Sequence, residues 1–298
     1  MTEQSCRSCG AEIGPADRFC EVCGLRQPTE DDRLERDLGV AAGVTDRGKR
    51  HQRNEDAFAL RIVDRQAVAA VVCDGVSTSD RPDQAARLAV TSAAEVIVEA
   101  LAAGIDPAAA TGKAIEAASA AVNALADPGA DADSAPACTY VSAIVTRDAV
   151  HIGWLGDSRA GWLAADGSST SAWLTSDDSW VLEMVTSGQL SYEEAEADPR
   201  AHALTGWLGA DAEEQQSTAR MVTVRPSGPG VLLLCSDGLW NYQSEPDALA
   251  DMIMTDALKA PLLAAKTLVQ FALNNGGQDN ITAAVIPFPP FANRSNTP

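Results

Sequence analysis

Between about residues 38 and 288 the chain alternates short apolar runs with longer stretches of helical periodicity. GVAAGVT, DAFALRIV, QAVAAVVCD, YVSAIVTR, AVHIGWLG, RMVTVRP, GVLLLCSD and NITAAVIPF are β-branched or alternating and are bounded by turn residues, which predicts strands. Residues 82–103 and 107–126 are Ala-rich with apolar residues at helical spacing, and each begins at a proline, a residue suited to the first helical position. Two short helices broken at Ser187-Gly188 are expected across 178–197, and a further pair at 245–256 and 260–273. Because the strands come in runs rather than in strict βα alternation, the pattern predicts an α+β layered sandwich over a doubly wound sheet. Ahead of this 38–288 domain lie a cysteine module at 1–27 and a charged, proline-initiated segment at 28–37 that reads as an exposed linker. Residues 127–136 read as a flexible acidic loop and 289–298 as a flexible tail.

A length of 298 residues suits one large domain with a small appendage, enough to hold an enzyme. Twenty-two Lys and Arg against 42 Asp and Glu leave a net charge of −20, so most of the surface repels a phosphate backbone and no nucleic-acid partner is expected. No apolar stretch approaches the length of a membrane span, and MTEQSCRSCG lacks the basic and apolar regions of a leader. A cytoplasmic monomer without a membrane partner is the expectation.

The seven cysteines form two groups. Cys73, Cys138 and Cys235 stand alone in apolar stretches, as small core residues do. Cys6, Cys9, Cys20 and Cys23 make two C-x2-C pairs, each followed by glycine, the arrangement that presents two thiolates to one side of a tetrahedral ion. A pair of disulfides is the alternative. One structural zinc fits a cytoplasmic context better, and its binding would supply the folding free energy that so short a segment cannot draw from apolar burial.

Acidic residues recur at strand ends and tight turns: Glu55 and Asp56 in NEDAF, Asp74 in VVCDGVS, Asp157 in LGDSR, Asp237 in LLLCSDGLW and Asp279 in GGQDNIT. A single Asp-Gly is usually only a turn signal. Several carboxylates held at apolar strand ends would repel one another unless a divalent cation neutralised them, and oxygen ligands without histidine favour Mg2+ or Mn2+. Such a cluster is suited to two-metal phosphoester hydrolysis.

In their order and spacing, RNEDAF, the DG after a strand, GDSR, LTSDDSWVLEMVTSGQLSYEEAEADPR, CSDGLW and QDNIT resemble the bacterial branch of the metal-dependent type 2C (PPM) protein serine/threonine phosphatases, over nearly all of 40–287. The resemblance implies two packed, mainly antiparallel sheets flanked by helices, a four-layer α-β-β-α sandwich, and hydrolysis of phosphoserine and phosphothreonine by water activated at a binuclear centre. It implies that Asp74 bridges both metals, that Asp237 and Asp279 complete one site, and that the Gly75 carbonyl and Glu55, mostly through water, serve the other. Asp157 would hold a third, weaker metal, and Asp56 would orient the attacking water. The 178–217 segment would be a mobile flap beside the site. Phosphoproteins, including a serine/threonine kinase or its substrates, are the implied partners.

The chain departs from that family at named places. The usual D-G-x-G-G is Asp74-Gly75-Val76-Ser77-Thr78, and the arginine that usually grips the substrate phosphate is His51. Its neighbour Arg53, adjoining Asn54 and Glu55, is expected to take over that contact, with Arg50 or a protonated His51 as alternatives. D-H-S becomes Asp177-Asp178-Ser179, and R-A-L-G becomes Gly206-Trp207-Leu208-Gly209. The loss of that arginine leaves a second function open: a weak or inactive regulatory protein that binds partners through its zinc ribbon.

Overall fold

The computed structural model describes residues 4–6, 9–14, 17–24, 32–127, 135–165, 170–210, 212 and 218–291. An N-terminal hairpin, β1 (Gln4–Ser5) and β2 (Glu12–Ile13), precedes the main domain. The chain then runs through β3 (Arg33–Asp37), β4 (Ala42–Asp46), β5 (Asp56–Val63) and β6 (Ala67–Asp74) to helices α1 (Pro82–Ala102) and α2 (Pro107–Asn123). It continues through β7 (Ala137–Cys138), β8 (Tyr140–Val145), β9 (Val150–Leu155), β10 (Arg159–Ala164) and β11 (Ala172–Trp173), then α3 (Trp180–Thr186) and α4 (Tyr192–Glu196). The last part holds β12 (Leu208–Gly209), β13 (Arg220–Val224), β14 (Gly230–Cys235), α5 (Asp237–Trp240), α6 (Pro246–Ala257), α7 (Pro261–Asn274) and β15 (Ile281–Phe288).

Two antiparallel sheets face each other, one in the order β13-β9-β8-β6-β5 and the other β11-β10-β14-β15-β4-β3. Helices α1 and α2 cover the first and α6 and α7 the second, giving the four-layer sandwich. Both faces of the central strands are buried, which is why they read as unbroken apolar runs. In β6, Val68, Ala70 and Val72 enter the layer between the sheets while Ala67, Ala69, Val71 and Cys73 pack under α1 and α2. In β14, Leu232 and Leu234 face the inter-sheet layer, and Val231, Leu233 and Cys235 face α6 and α7. Cys73, Cys138 and Cys235 are fully buried core residues.

Three expectations change. Arg33–Asp37, expected in the linker, is an edge strand pinned by Arg33 to Asp46 at 2.8 Å and by Lys266 to Glu35 at 2.9 Å. An exposed edge needs no apolar alternation, and charges there discourage pairing with other chains. The start of the tail also belongs to the fold, because Phe291 packs on the inter-sheet core; 292–298 lie outside the described residues. The 127–136 loop falls mostly on 128–134, also outside them. Strand β10 escaped the pattern because Gly161 interrupts its alternation; a Cβ there would lie 2.9 Å from the ring of Trp173.

Candidate active site

The acidic positions collect at one end of the sandwich because the strands that carry them start or stop there. Asp56 opens β5 directly opposite Asp74, which ends β6. Asp157 lies between β9 and β10, Asp237 follows β14 in the first turn of α5, and Asp279 precedes β15. A cleft of about 1190 Å³ is lined by Asp74, Gly75, Asp157, Asp237 and Asp279 on this side. Asp74 and Gly75 come from the five-stranded sheet, Asp237 and Asp279 from the six-stranded one, and Asp157 from the turn that joins the two, so the cleft straddles the seam between them. Close backbone approach sets the second pair: a Cβ on Gly238 would lie 1.9 Å from the Asn280 carbonyl oxygen, and one on Gly48, at φ +74°, 2.0 Å from that of Asp279.

Burial and mutual repulsion dominate the electrostatics. Burial first, then the charges of Asp56, Asp237, Asp157 and Asp279, push the Asp74 carboxyl well above the usual range. Burial and then Asp237 and Asp177 do the same to Asp157, with Arg159 opposing. Asp237 rises to about 6, through burial and then Asp279. Asp56 rises to about 7 through burial, although its Oδ2 accepts hydrogen bonds from Ser236 and Thr282, each at 2.7 Å. Oδ1 of Asp56 and Oδ1 of Asp237 are buried without a hydrogen-bond partner among the described residues. Buried acceptors left unsatisfied and carboxylates driven toward the neutral form fit divalent-cation ligands, since the cation supplies both the missing contacts and the missing charge. The donor set, carboxylates and a backbone carbonyl, suits Mg2+ or Mn2+.

Residues that sequence reasoning did not single out hold these groups in place. Thr139 accepts from the Asp74 amide at 3.0 Å through Oγ1 and donates its own amide to the Asp74 carbonyl at 2.7 Å. Asn280, 2% exposed, accepts from the Glu55 amide at 2.7 Å and donates to the carbonyls of Arg47 and Arg53 at 2.8 and 3.2 Å. The signal was available in QDNIT: a polar amide inside an apolar run must find buried partners. Thr282 and Ser236, which bond Asp56 across the sheet seam, sit in equally plain sight beside motif aspartates.

The remaining predicted residues lie outside the cleft lining. His51 Nε2 is 3.1 Å from Asp279 Oδ1. Arg53 donates from Nε to Glu55 Oε1 at 2.7 Å and brings Nη1 to 3.7 Å from Asp83, and among the described residues neither His51 nor Arg53 lines the cleft. Glu55 is itself buried, with Ser77 Oγ donating to its Oε2 at 2.5 Å. Across the cleft, α3, α4 and residues 201–204 form the far wall. Arg159 grips Asp177 with two bonds, 2.9 and 2.6 Å, and stacks 3.7 Å from the Trp240 ring centroid. Asp178, the departure from D-H-S, accepts from the Gly156 amide at 2.9 Å and from Arg220 at 2.7 Å, so it fastens the base of this wall to the Asp157 turn.

In the N-terminal module the four sulfurs of Cys6, Cys9, Cys20 and Cys23 lie within 4.8 Å of one another, with Cys6–Cys23 at 3.6 Å and Cys9–Cys20 at 3.5 Å. A tetrahedron of Zn–S bonds of about 2.3 Å puts sulfurs about 3.8 Å apart, close to these spacings. Gly10 and Gly24, at φ +73° and +72°, make the turns after each pair. Cys6, Cys20 and Ile13 form a small core of their own.

Residues 45–269 match the family described as protein phosphatase 2C. The chain is 38% identical over 146 residues to protein phosphatase PhpP of Streptococcus pneumoniae, covering 49% of this chain and 55% of that protein. It is 37% identical over 142 residues to serine/threonine protein phosphatase PstP of Mycobacterium tuberculosis, covering 46% and 24%. The chain therefore spans about half the length, or less, of these curated relatives. A solved bacterial serine phosphatase superposes with a TM-score of 0.70 at 23% identity, over 83% of this chain and 97% of that one. A family match over most of the chain, the same four-layer fold and a carboxylate cleft at the sheet seam lead to one conclusion: the chain belongs to the protein phosphatase 2C family.

Proposed function

We propose that the chain is a protein serine/threonine phosphatase that hydrolyses phosphoserine and phosphothreonine by direct attack of water, without a phosphoenzyme. The observation that carries this reading is the convergence of Asp74, Asp157, Asp237 and Asp279 on one cleft, with a buried Asp237 oxygen that no group among the described residues satisfies. Asp74, Asp237, Asp279 and the Gly75 carbonyl would hold two Mg2+ or Mn2+ ions, with Glu55 serving mostly through water, and Asp157 would hold a third. Bound there, the ions neutralise phosphate charge and make the attacking water acidic. Asp56, locked through Oδ2 to Ser236 and Thr282, keeps Oδ1 as an acceptor that orients the water from beneath the cleft. A thiolate route is unsupported, because burial pushes the Cys73 and Cys235 thiols up, away from the reactive form.

One structural zinc at Cys6, Cys9, Cys20 and Cys23 completes the proposal, in a unit that precedes the domain opened by β3. The partners are cytoplasmic phosphoproteins, a serine/threonine kinase or its substrates among them. The test is phosphate release from a phosphothreonine peptide with Mn2+, Mg2+ or EDTA. Activity is expected only with added metal, and Asp237→Asn or Asp279→Asn is expected to remove nearly all of it while the fold persists. Near-normal turnover of either variant at saturating metal would overturn the metal assignment. No release by the wild-type chain would favour the regulatory reading, which the lack of His51 and Arg53 in the cleft lining supports.

A further inference from the structure

The Glu55 side chain is only 7% exposed, and both of its oxygens are taken by neighbours. Arg53 Nε donates to Oε1 at 2.7 Å from one side and Ser77 Oγ donates to Oε2 at 2.5 Å from the other. The backbone is held as firmly: the Glu55 amide donates to Asn280 Oδ1 at 2.7 Å, and its carbonyl accepts from the Gly75 amide at 3.1 Å. Two hydrogen bonds on a buried carboxylate, one to each oxygen, fix its rotamer. The two donors differ in kind. Arg53 is half-exposed and shares its charge with Asp83, whereas Ser77 lines the cleft three residues after Asp74 and carries no charge of its own.

We infer that Ser77 is a positioning residue for Glu55, and that together with Arg53 it sets the divalent-metal affinity of the half of the site that Gly75 and Glu55 serve. This rests on the metal-dependent reading above. A glycine or alanine at 77 has no donor to offer, so Glu55 would be held from the Arg53 side alone and would swing about that contact. Hydrogen-bond partners of metal-site groups commonly govern affinity by about 10- to 100-fold. Ser77, one neutral hydroxyl acting through an intermediate carboxylate, belongs at the lower end of that range.

The experiment is calorimetric titration of Mn2+ into the full chain, supplied with one equivalent of Zn2+, for wild type, Ser77→Ala, Ser77→Thr and Arg53→Ala. Ser77→Ala is expected to weaken one Mn2+ step by about tenfold and to leave the other within about twofold. Ser77→Thr, which keeps the hydroxyl, should bind as wild type does, and Arg53→Ala should weaken the same step as Ser77→Ala. The metal-free melting temperature of Ser77→Ala should stay unchanged, because the lost group acts on the ligand and not on the core. Equal isotherms for wild type and Ser77→Ala would overturn the inference while leaving the metal reading intact. Weakening that Ser77→Thr fails to rescue, or that comes with a lower metal-free melting temperature, would show a structural role only and overturn it too. A wild-type chain that takes up no Mn2+ at the cleft would remove the metal reading and this inference together.

Discussion

At the scale of single residues, the two side chains nearest the expected phosphate grip are already engaged. Arg53 spends its guanidinium on Glu55 and Asp83, and His51 sits against Asp279. Among the described residues, the basic side chains lining the cleft are Arg159, committed to Asp177 and the Trp240 ring, and His202. Sequence proximity had favoured Arg53 as the phosphate contact, but proximity along the chain could not show which carboxylate would capture it. Arg53→Ala is therefore expected to raise the metal concentration needed for half-maximal activity, with little change in peptide KM. His51→Arg should lower KM, because a guanidinium reaches farther than an imidazole and a charge-assisted bond to phosphate contributes roughly 1.5–3 kcal/mol. Steady-state kinetics at fixed saturating Mn2+ decide the matter: an unchanged KM for His51→Arg, or a large KM rise for Arg53→Ala, reverses this division of labour.

At the scale of elements, legibility followed burial. Strands with both faces covered, such as β6 and β14, announce themselves as apolar runs, and α1 and α2 begin at the prolines that marked them. The carboxylates were legible because each stands where such a run begins or ends. The polarity of the supports could be read, but their partners could not: Thr139, Asn280 and Ser236 bond groups far away in sequence, and no spacing rule encodes a partner. Strand β3 was missed for the opposite reason, having an exposed edge whose charges resemble a linker. Its pairing shifts the useful boundary of the N-terminal module to just before Asp32, which bonds Arg47 at 3.1 Å. A chain lacking residues 1–30 is expected to fold and to hydrolyse a small phosphoester, and Cys6→Ser with Cys9→Ser to lose the zinc, since two thiolates cannot complete a tetrahedral site. Metal content by mass spectrometry and circular dichroism of the truncated chain would check both. Collapse of the truncated domain would make the module part of the main core.

At the scale of the whole molecule, a net charge of −20 is concentrated further by a cleft of buried acids. Burial raises Asp56 and Asp237 from the usual 3.8 to about 7 and about 6. A raised carboxyl favours the fold when protonated, so its contribution is fully present below about pH 4 and is lost as pH rises through 6 to 7. Metal binding should offset that loss, and the gap in melting temperature between Mn2+ and EDTA is expected to widen from pH 5 to pH 7.5. A gap independent of pH would contradict the carboxylate electrostatics. The seam between the sheets carries one more consequence. With Asp56 and Asp74 on one sheet and Asp237 and Asp279 on the other, the site gauges how the two slabs are seated, and any slip along their shared plane detunes it without touching a ligand. Leu234 and Leu233 are adjacent and fully buried, yet only Leu234 lies in that plane. Changing either to alanine should cost about 2–5 kcal/mol of stability, but Leu234→Ala alone should also weaken Mn2+ binding, making the hydrophobic layer a remote tuning screw for the metal centre.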